Sequence, residues 1–495
     1  MWLSHAEPGR AARFSLVEAR PGATPFLRLT GARDLSPVIG LWRVRTSALA
    51  GLRRAGLVRA AEPVRAMHAD ATTLDPLLSE EWWLAPTGAS SVAEPGPGVP
   101  VAVIDTGVDL THPEFAQRPN TTSLNTQSVG DSQEDFHGTA VASVVGAPVN
   151  GVGMVGVYPQ ASLYAYDADL GGTLTNEAVI TGINAAASLG RVVINLSLGA
   201  DILDPLLDDA LLAAFRSGAL IVAASGNTGT SGRLSYPADL PHVLTVAATN
   251  QSGFAAPFSS VSDRVDLAAP GVGITAAVPL RYMVDGYQLL NGTSFSAPIV
   301  SGAAALVWTE RTNLDNTQLF DVLRFSAHDV APPGYDPDTG YGMLDIPNAL
   351  TFAAPNPDSP EPNDDVRLVE PGGLFASGLP PLTTKTSHTG FARGSVDAME
   401  DPADVYRIWV PGHDRVSLRA SNSLVRLRLW RPATRTIEET SGAATRDRAA
   451  LGTKSITAVN TSARGGYWYA DVRFAHAVGH TRYELTVKTT VSAKR

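Results

Sequence analysis

Between residues 99 and 353 short apolar runs alternate with amphipathic stretches, and this alternation restricts the fold more than any other property of the chain. VPVAVID, SLYAYDA, RVVINLSL, ALIVAAS and HVLTVAAT are rich in Val, Ile, Leu and Ala. A strand wetted on one face alternates apolar with polar residues. One covered on both faces does not, so these runs read as buried strands of a parallel sheet. Between them, TNEAVITGINAAASLG and DPLLDDALLAAFRSG have helical spacing, an acidic first turn and a closing glycine. The succession predicts an α/β domain, a mainly parallel sheet with helices on both faces. SFSAPIVSGAAALVW is apolar on every side, as a helix buried at the centre should be.

The flanks read differently. Residues 24–68 predict a small α/β unit with a strand at PFLRLTG, an amphipathic helix at SALAGLRRAGL and a closing extended segment at LVRAAEPVRAM. APNPDSPEPNDD at 354–365 reads as a linker from its Pro, Asp and Asn content. Beyond it DVYRIWVP, VSLRAS, LVRLRLW, YWYADVRF and YELTVKTT alternate as short strands, which predicts an all-β sandwich over 366–495.

With 495 residues the chain exceeds one ordinary core. It has no cysteine, which excludes disulfides, thiolate metal sites and thiol catalysis. No uncharged apolar run is long enough to span a membrane. Charge is segregated: residues 1–66 carry eleven Arg against four acidic residues, whereas 70–353 carry eight Arg, no Lys and twenty-nine acidic residues. An acidic centre argues against nucleic acid as a partner, and a basic N-terminal segment is expected to dock on it. The first twenty residues lack the 7–15-residue apolar stretch of a secretory signal.

Three blocks carry the chemistry. Asp105 ends the apolar run VAVI and precedes Thr106 and Gly107, so its carboxylate faces the crevice at the carboxyl ends of the strands. His137 opens HGTAVASVVG, at a helix N-terminus where the macrodipole disfavours the protonated imidazole. Ser294 in NGTSFSAP stands at the start of the apolar helix, its N–H facing outward toward any developing negative charge. Singly these are a turn former, a helix-start histidine and an N-cap serine. Together, in the order Asp, His, Ser at spacings of 32 and 157 residues, they supply an orienting acid, a base and a nucleophile. A fourth block, SGNTG, places Asn227 after the run ALIVAA. The run NGVGMVG contains a literal G-x-G-x-x-G, but it follows the His137 helix instead of leaving a strand, which argues against a dinucleotide site. DPDTG at 336–340 reads as a turn.

VAVIDTGVD, HGTAVASVVG, SGNTG and NGTSFSAP resemble the catalytic blocks of the subtilisin-like serine proteases, the subtilases, over about 70–353. One departure is Ala140, where the family pattern usually has a second histidine. The resemblance implies catalytic roles for Asp105, His137 and Ser294 and an oxyanion role for Asn227. It implies main-chain pairing of a peptide with Ser197, Leu198 and Gly199 on one side and with a strand holding Gly171 and Gly172 on the other. Ala224 and Ser235 are implied to line the primary specificity pocket, and Glu114 and Asn150 to hold calcium. No organic or redox cofactor is implied. The N-terminal region resembles an inhibitor-type propeptide, and EPNDD, DPADVYRIWV and GYWYADV resemble the β domain appended to many secreted bacterial peptidases. The expectation is a monomeric, extracellular serine endopeptidase. Its segments are an inhibitory 1–74, a catalytic 75–353, the linker 354–365 and a β domain over 366–495. A catalytically silent binding protein on the same fold is the alternative.

Overall fold

The computed structural model describes residues 14–63, 75–125, 136–169, 171–231, 234–330, 332–437, 448–476 and 479–490. The chain divides into two compact units, Met1–Thr72 and Thr73–Arg495. The first runs β1 (Phe14–Ala19), α1 (Thr24–Leu29), β2 (Arg33–Ser36), β3 (Leu41–Arg45), α2 (Thr46–Arg54) and β4 (Val58–Pro63). Its antiparallel sheet has the order β2-β3-β1-β4, over a core of Val17, Leu27, Trp42, Val44 and Leu52. The expected helix and closing strand are present, but PFLRLTG is helical, not extended. So short a run does not discriminate the two. Pro25 in the first turn, where a helix needs no N–H, tips it to α1.

The second unit continues with β5 (Val101–Asp105), β6 (Thr121–Ser123), α3 (His137–Gly146), β7 (Leu163–Asp167), α4 (Asn176–Ala187), β8 (Val193–Leu196), α5 (Pro205–Arg216), β9 (Leu220–Ala224), β10 (Val243–Thr249) and β11 (Leu267–Pro270). There follow β12 (Ile274–Ala277), β13 (Tyr287–Leu290), α6 (Thr293–Glu310), α7 (Asn316–Phe325), α8 (Ile346–Thr351) and α9 (Val366–Val369). All five apolar runs form strands of one seven-stranded sheet, order β11-β10-β9-β8-β5-β7-β6, parallel throughout. One face packs on α3 and α6 through Val101, Val103, Leu220 and Val246. The other packs on α4 and α5 through Ala102, Ile104, Ile194 and Ile221. Thr175 and Asp204 cap α4 and α5 with side-chain oxygens, as the sequence signals require. From β5 the chain first passes to β6 and β7 on one side and then to β8 on the other. That reversal opens a crevice at the carboxyl ends of β5 and β8, where α/β sheets hold ligands.

The last segment is a sandwich of two antiparallel sheets, order β14-β21-β16-β19 and β15-β20-β17-β18. Its strands are β14 (Thr389–Asp397), β15 (Asp404–Val410), β16 (Arg415–Ala420), β17 (Val425–Trp430), β18 (Arg448–Thr453), β19 (Ser455–Val459), β20 (Gly466–Phe474) and β21 (His480–Thr489). Ile408, Leu418, Leu427, Trp468 and Leu485 fill the space between the sheets. The run at 354–365 departs from expectation, because it is a packed joint and not a free spacer. Gln318 donates to the Pro355 carbonyl at 2.6 Å and Arg216 to that of Pro362 at 2.8 Å. His242 pairs with Asp364 at 2.7 Å. Asn363, buried, donates to Ser359, Glu361 and Asp404. Ser359, Glu361 and Asn363 are buried and bonded to one another in the joint instead of facing water.

Candidate active site

Asp105 is the last residue of β5 and is fully buried. Its Oδ1 lies 2.8 Å from Nδ1 of His137 and also accepts the Thr106 amide at 2.8 Å. A carboxylate only accepts, so the imidazole proton sits on Nδ1 and Nε2 is the basic nitrogen. Asp105 Oδ2 is sealed from solvent with no hydrogen-bond partner among the described residues. Its charge is therefore poised for an imidazolium next to it. Two hydroxyls stitch α3 to the strand end: Thr106 Oγ1 accepts the Gly138 amide at 2.9 Å, and Thr139 Oγ1 that of Asp109 at 2.8 Å. A Cβ on Gly138 would overlap the Gly107 carbonyl, so only glycine lets the helix start this close to β5.

Ser294 lies in the first turn of α6, half-buried. Its hydroxyl donates to the Ser197 carbonyl at 3.5 Å, a long bond, and Ser197 Oγ donates to its carbonyl at 2.8 Å. The ring of the next residue, Phe295, stands 5.8 Å from the His137 ring, centre to centre, so the starts of α3 and α6 meet over the crevice. Asn227 joins them from the loop after β9. Its Oδ1 accepts both the amide and the hydroxyl of Thr293, at 3.0 and 3.1 Å. That fixes the carboxamide with Nδ2 as the outward donor, beside Gly292.

Of the expected substrate residues, Ser197, Leu198 and Gly199 lie between the end of β8 and the bridge from Ala200 to Tyr236. A Cβ on Gly199 would collide with Ser235, and the Ser235 amide donates to Ser225 at 3.0 Å, directly after Ala224 at the end of β9. These five residues are therefore neighbours. Gly171 and Gly172 depart from expectation, because both have left-handed φ (+75° and +92°) in an exposed turn between Asp169 and Leu174. Asp169 Oδ1 closes that turn on the amides of Gly172 and Thr173, both at 2.6 Å. A glycine pair in a turn is satisfied by its own loop and not extended for pairing.

The glycine run after α3 binds carboxylates of its own chain. Asp75 Oδ1 accepts the amides of Asn150, Gly151 and Val152. Glu114 Oε1 accepts Met154 N at 2.9 Å and the Tyr287 hydroxyl at 2.7 Å, and Glu81 accepts Val155 N at 2.8 Å. The donors a phosphate would need are already taken, so the nucleotide reading fails. Burial pushes the Glu114 carboxyl up to about 7 and that of Glu81 to about 8. The second oxygens of Asp75, Glu81 and Glu114 are buried without hydrogen-bond partners among the described residues, which is what oxygen ligands of a cation require. Asn150 is exposed, with Oδ1 accepting Val152 N at 2.8 Å and one lone pair left. Asp75 and Glu81 escape a reading of the sequence, although both lie in the acidic stretch DPLLSEEWWL. The groups that converge closely enough for a cation among the described residues are different ones, His242 with Glu361 and Asp364, and Asp358 with Glu361, Asp401 and Asp404. Both belong to the joint and β domain, not to the crevice.

Comparison with known proteins bears on the family and the fold. The family model described as the Subtilase family matches residues 96–342. Over 254 residues the chain is 37% identical to Subtilisin NAT of Bacillus subtilis subsp. natto, spanning 49% of this chain and 66% of that protein. Over 273 residues it is 34% identical to the Subtilisin of Bacillus pumilus, spanning 53% of this chain and 97% of that one. Among solved structures, a psychrophilic subtilisin-like protease from Pseudoalteromonas sp. AS-11 matches 55% of this chain and 97% of its own with a TM-score of 0.50. At 20% identity that likeness is one of fold. By class the fold is that of the subtilisin-like proteins, and the chain spans 66% of the length of the Bacillus subtilis relative. The chain belongs to the subtilase family.

Proposed function

We propose that the chain hydrolyses peptide bonds through an acyl-enzyme. Ser294 Oγ attacks the scissile carbonyl, His137 Nε2 takes its proton and later returns it to the leaving amine, and Asp105 holds the ring in the working tautomer. The tetrahedral oxyanion is bound by Asn227 Nδ2 and by the Ser294 amide, at the start of α6 where first-turn amides have no helical acceptor. Substrate lies extended along Ser197–Gly199, whose main chain gives affinity without sequence preference. Ala224 and Ser235 leave room for a small or apolar side chain before the cleaved bond. The observation that carries this reading is the 2.8 Å contact between Asp105 and His137, supported by the Phe295 ring, next to Ser294, at 5.8 Å from the His137 ring and by the bonds of Asn227 to Thr293.

Residues 1–74 act as an intramolecular inhibitor removed on maturation, 75–353 as the catalytic domain and 366–495 as an appended β domain; the protein works as an extracellular monomer on protein or peptide substrates. A calcium ion, if bound, would be held by Glu114, Asp75 and Asn150; it would tie the loop after α3 to the rest of the domain and takes no part in the chemistry. A fluorophosphonate probe tests the assignment. Wild-type protein is expected to be labelled on Ser294, and Ser294→Ala not at all. An unlabelled, folded wild type would leave the silent binding protein instead. The same variant tests maturation, since it is expected to keep residues 1–74 where N-terminal sequencing shows the wild type to have lost them.

A further inference from the structure

Pro298 lies inside α6, four residues after Ser294. In an α-helix the amide of residue i+4 bonds the carbonyl of residue i, and proline has no amide hydrogen. The Ser294 carbonyl is thus deprived of its helical donor at the residue whose position matters most. The donor comes from another element: Ser197 Oγ, just past β8, donates to that carbonyl at 2.8 Å. Ser197 Oγ in turn accepts from Asn195 Nδ2 at 3.0 Å, and Asn195 Oδ1 accepts from Ser301 Oγ at 2.9 Å. Ser301 belongs to α6 itself, seven residues beyond Ser294, so the chain of bonds leaves the helix, passes through β8 and returns two turns on. Asn195, Ser197 and Ser301 are all buried.

The direction of every bond is determined. The Asn195 amide nitrogen can only donate, so it turns the Ser197 hydroxyl hydrogen toward Ser294; the Asn195 oxygen can only accept, so it takes the Ser301 hydrogen. A buried, fully paired network of this kind permits one arrangement. It fixes the backbone of Ser294 against the same stretch, Ser197–Gly199, on which the substrate is proposed to lie.

We infer that Asn195, Ser197 and Ser301 are positioning residues for the nucleophile. By replacing the helical bond that Pro298 removes, they set the Ser294 hydroxyl at a fixed distance from the bound peptide. The inference rests on Ser294 being the nucleophile. A misplacement of about 1 Å at a reacting atom can cost about 10²-fold in rate, which sets the scale for their loss.

The test is a set of variants of the mature protein, with kcat and KM measured per active site and folded fraction checked by circular dichroism. Ser197→Ala is expected to lower kcat about 10- to 100-fold with KM within about twofold of wild type. Ser197→Thr, which keeps the hydroxyl, should retain most of kcat. Combining Ser197→Ala with Pro298→Ala restores an amide donor to the orphaned carbonyl and should recover most of the loss. Ser301→Ala should give a smaller fall in the same parameter. A kcat unchanged in Ser197→Ala while only the melting temperature drops would overturn the inference. So would a loss wholly in KM, or no recovery in the double variant when the fold is intact. If the wild type is not labelled by a fluorophosphonate, the underlying assignment of Ser294 has failed instead, and the two failures are distinct.

Discussion

The carboxamide of Asn227 has one orientation open to it, because Thr293 presents two donors to its oxygen. Nδ2 is thereby aimed before any substrate arrives, and a prearranged donor needs no reorganisation as charge develops. Removing the oxyanion asparagine of a subtilisin lowers kcat about 10²- to 10³-fold, and Asn227→Ala is expected to match that known loss with KM nearly unchanged. Steady-state kinetics on a chromogenic peptide checks it, and a change confined to KM would count against the role. Asp105→Asn should be costlier, about 10⁴-fold in kcat, because an amide can donate to Nδ1 and so stabilise the wrong tautomer. If Asp105 served only to close the turn at the end of β5, the asparagine would be nearly silent.

At the scale of elements, the junction of β5 with α3 determines where His137 stands. Gly138 abuts the Gly107 carbonyl, and backbone cannot give way as a side chain can. Gly138→Ala should therefore displace the helix start, costing about 1–3 kcal/mol of stability and reducing activity together with it. A thermal melt and an activity assay on one preparation would show both; a stable, fully active variant would mean that the close approach is unimportant. The same elements show what the sequence discloses. The buried strands are legible because a strand covered on both faces must be apolar throughout, and α4 and α5 because their caps and apolar spacing are local. Asp105, His137, Ser294 and Asn227 are legible because each sits in a short block with its glycine. The Gly171–Gly172 turn is not, since its conformation depends on Asp169 accepting two amides. α1 reads wrongly as a strand because one proline decides between two conformations of a short hexapeptide. The Asn195–Ser197–Ser301 network is visible only as lone polar residues within apolar runs, with nothing local to say that they meet.

Across the whole second unit, the β sandwich and the segment of the parallel sheet share buried charge. Arg324 on α7 lies 3.4 Å from Asp266 beside β11, 2.9 Å from Asp321 and 3.4 Å from Asp397 at the end of β14. Arg216 reaches the carbonyls of Pro362 and Leu368 and stacks 4.1 Å from the Phe375 ring centre. Burial raises the Asp266 carboxyl to about 7 and the Arg324 charge opposes that rise, and the same guanidinium touches Asp397 of the β sandwich. Substituting Met for Arg324 keeps most of the volume and removes the charge, leaving Asp266 and Asp397 buried and unpaired. Breaking such a pair from one side costs about 3–5 kcal/mol. In differential scanning calorimetry the wild type should therefore show the two domains melting together. Arg324→Met should shift that transition to markedly lower temperature or split it in two, with the β domain separating from the catalytic core. A melting profile that stays within a degree of the wild type would mean the joint is held by the 354–365 segment alone, and that the arginine bridges nothing of consequence.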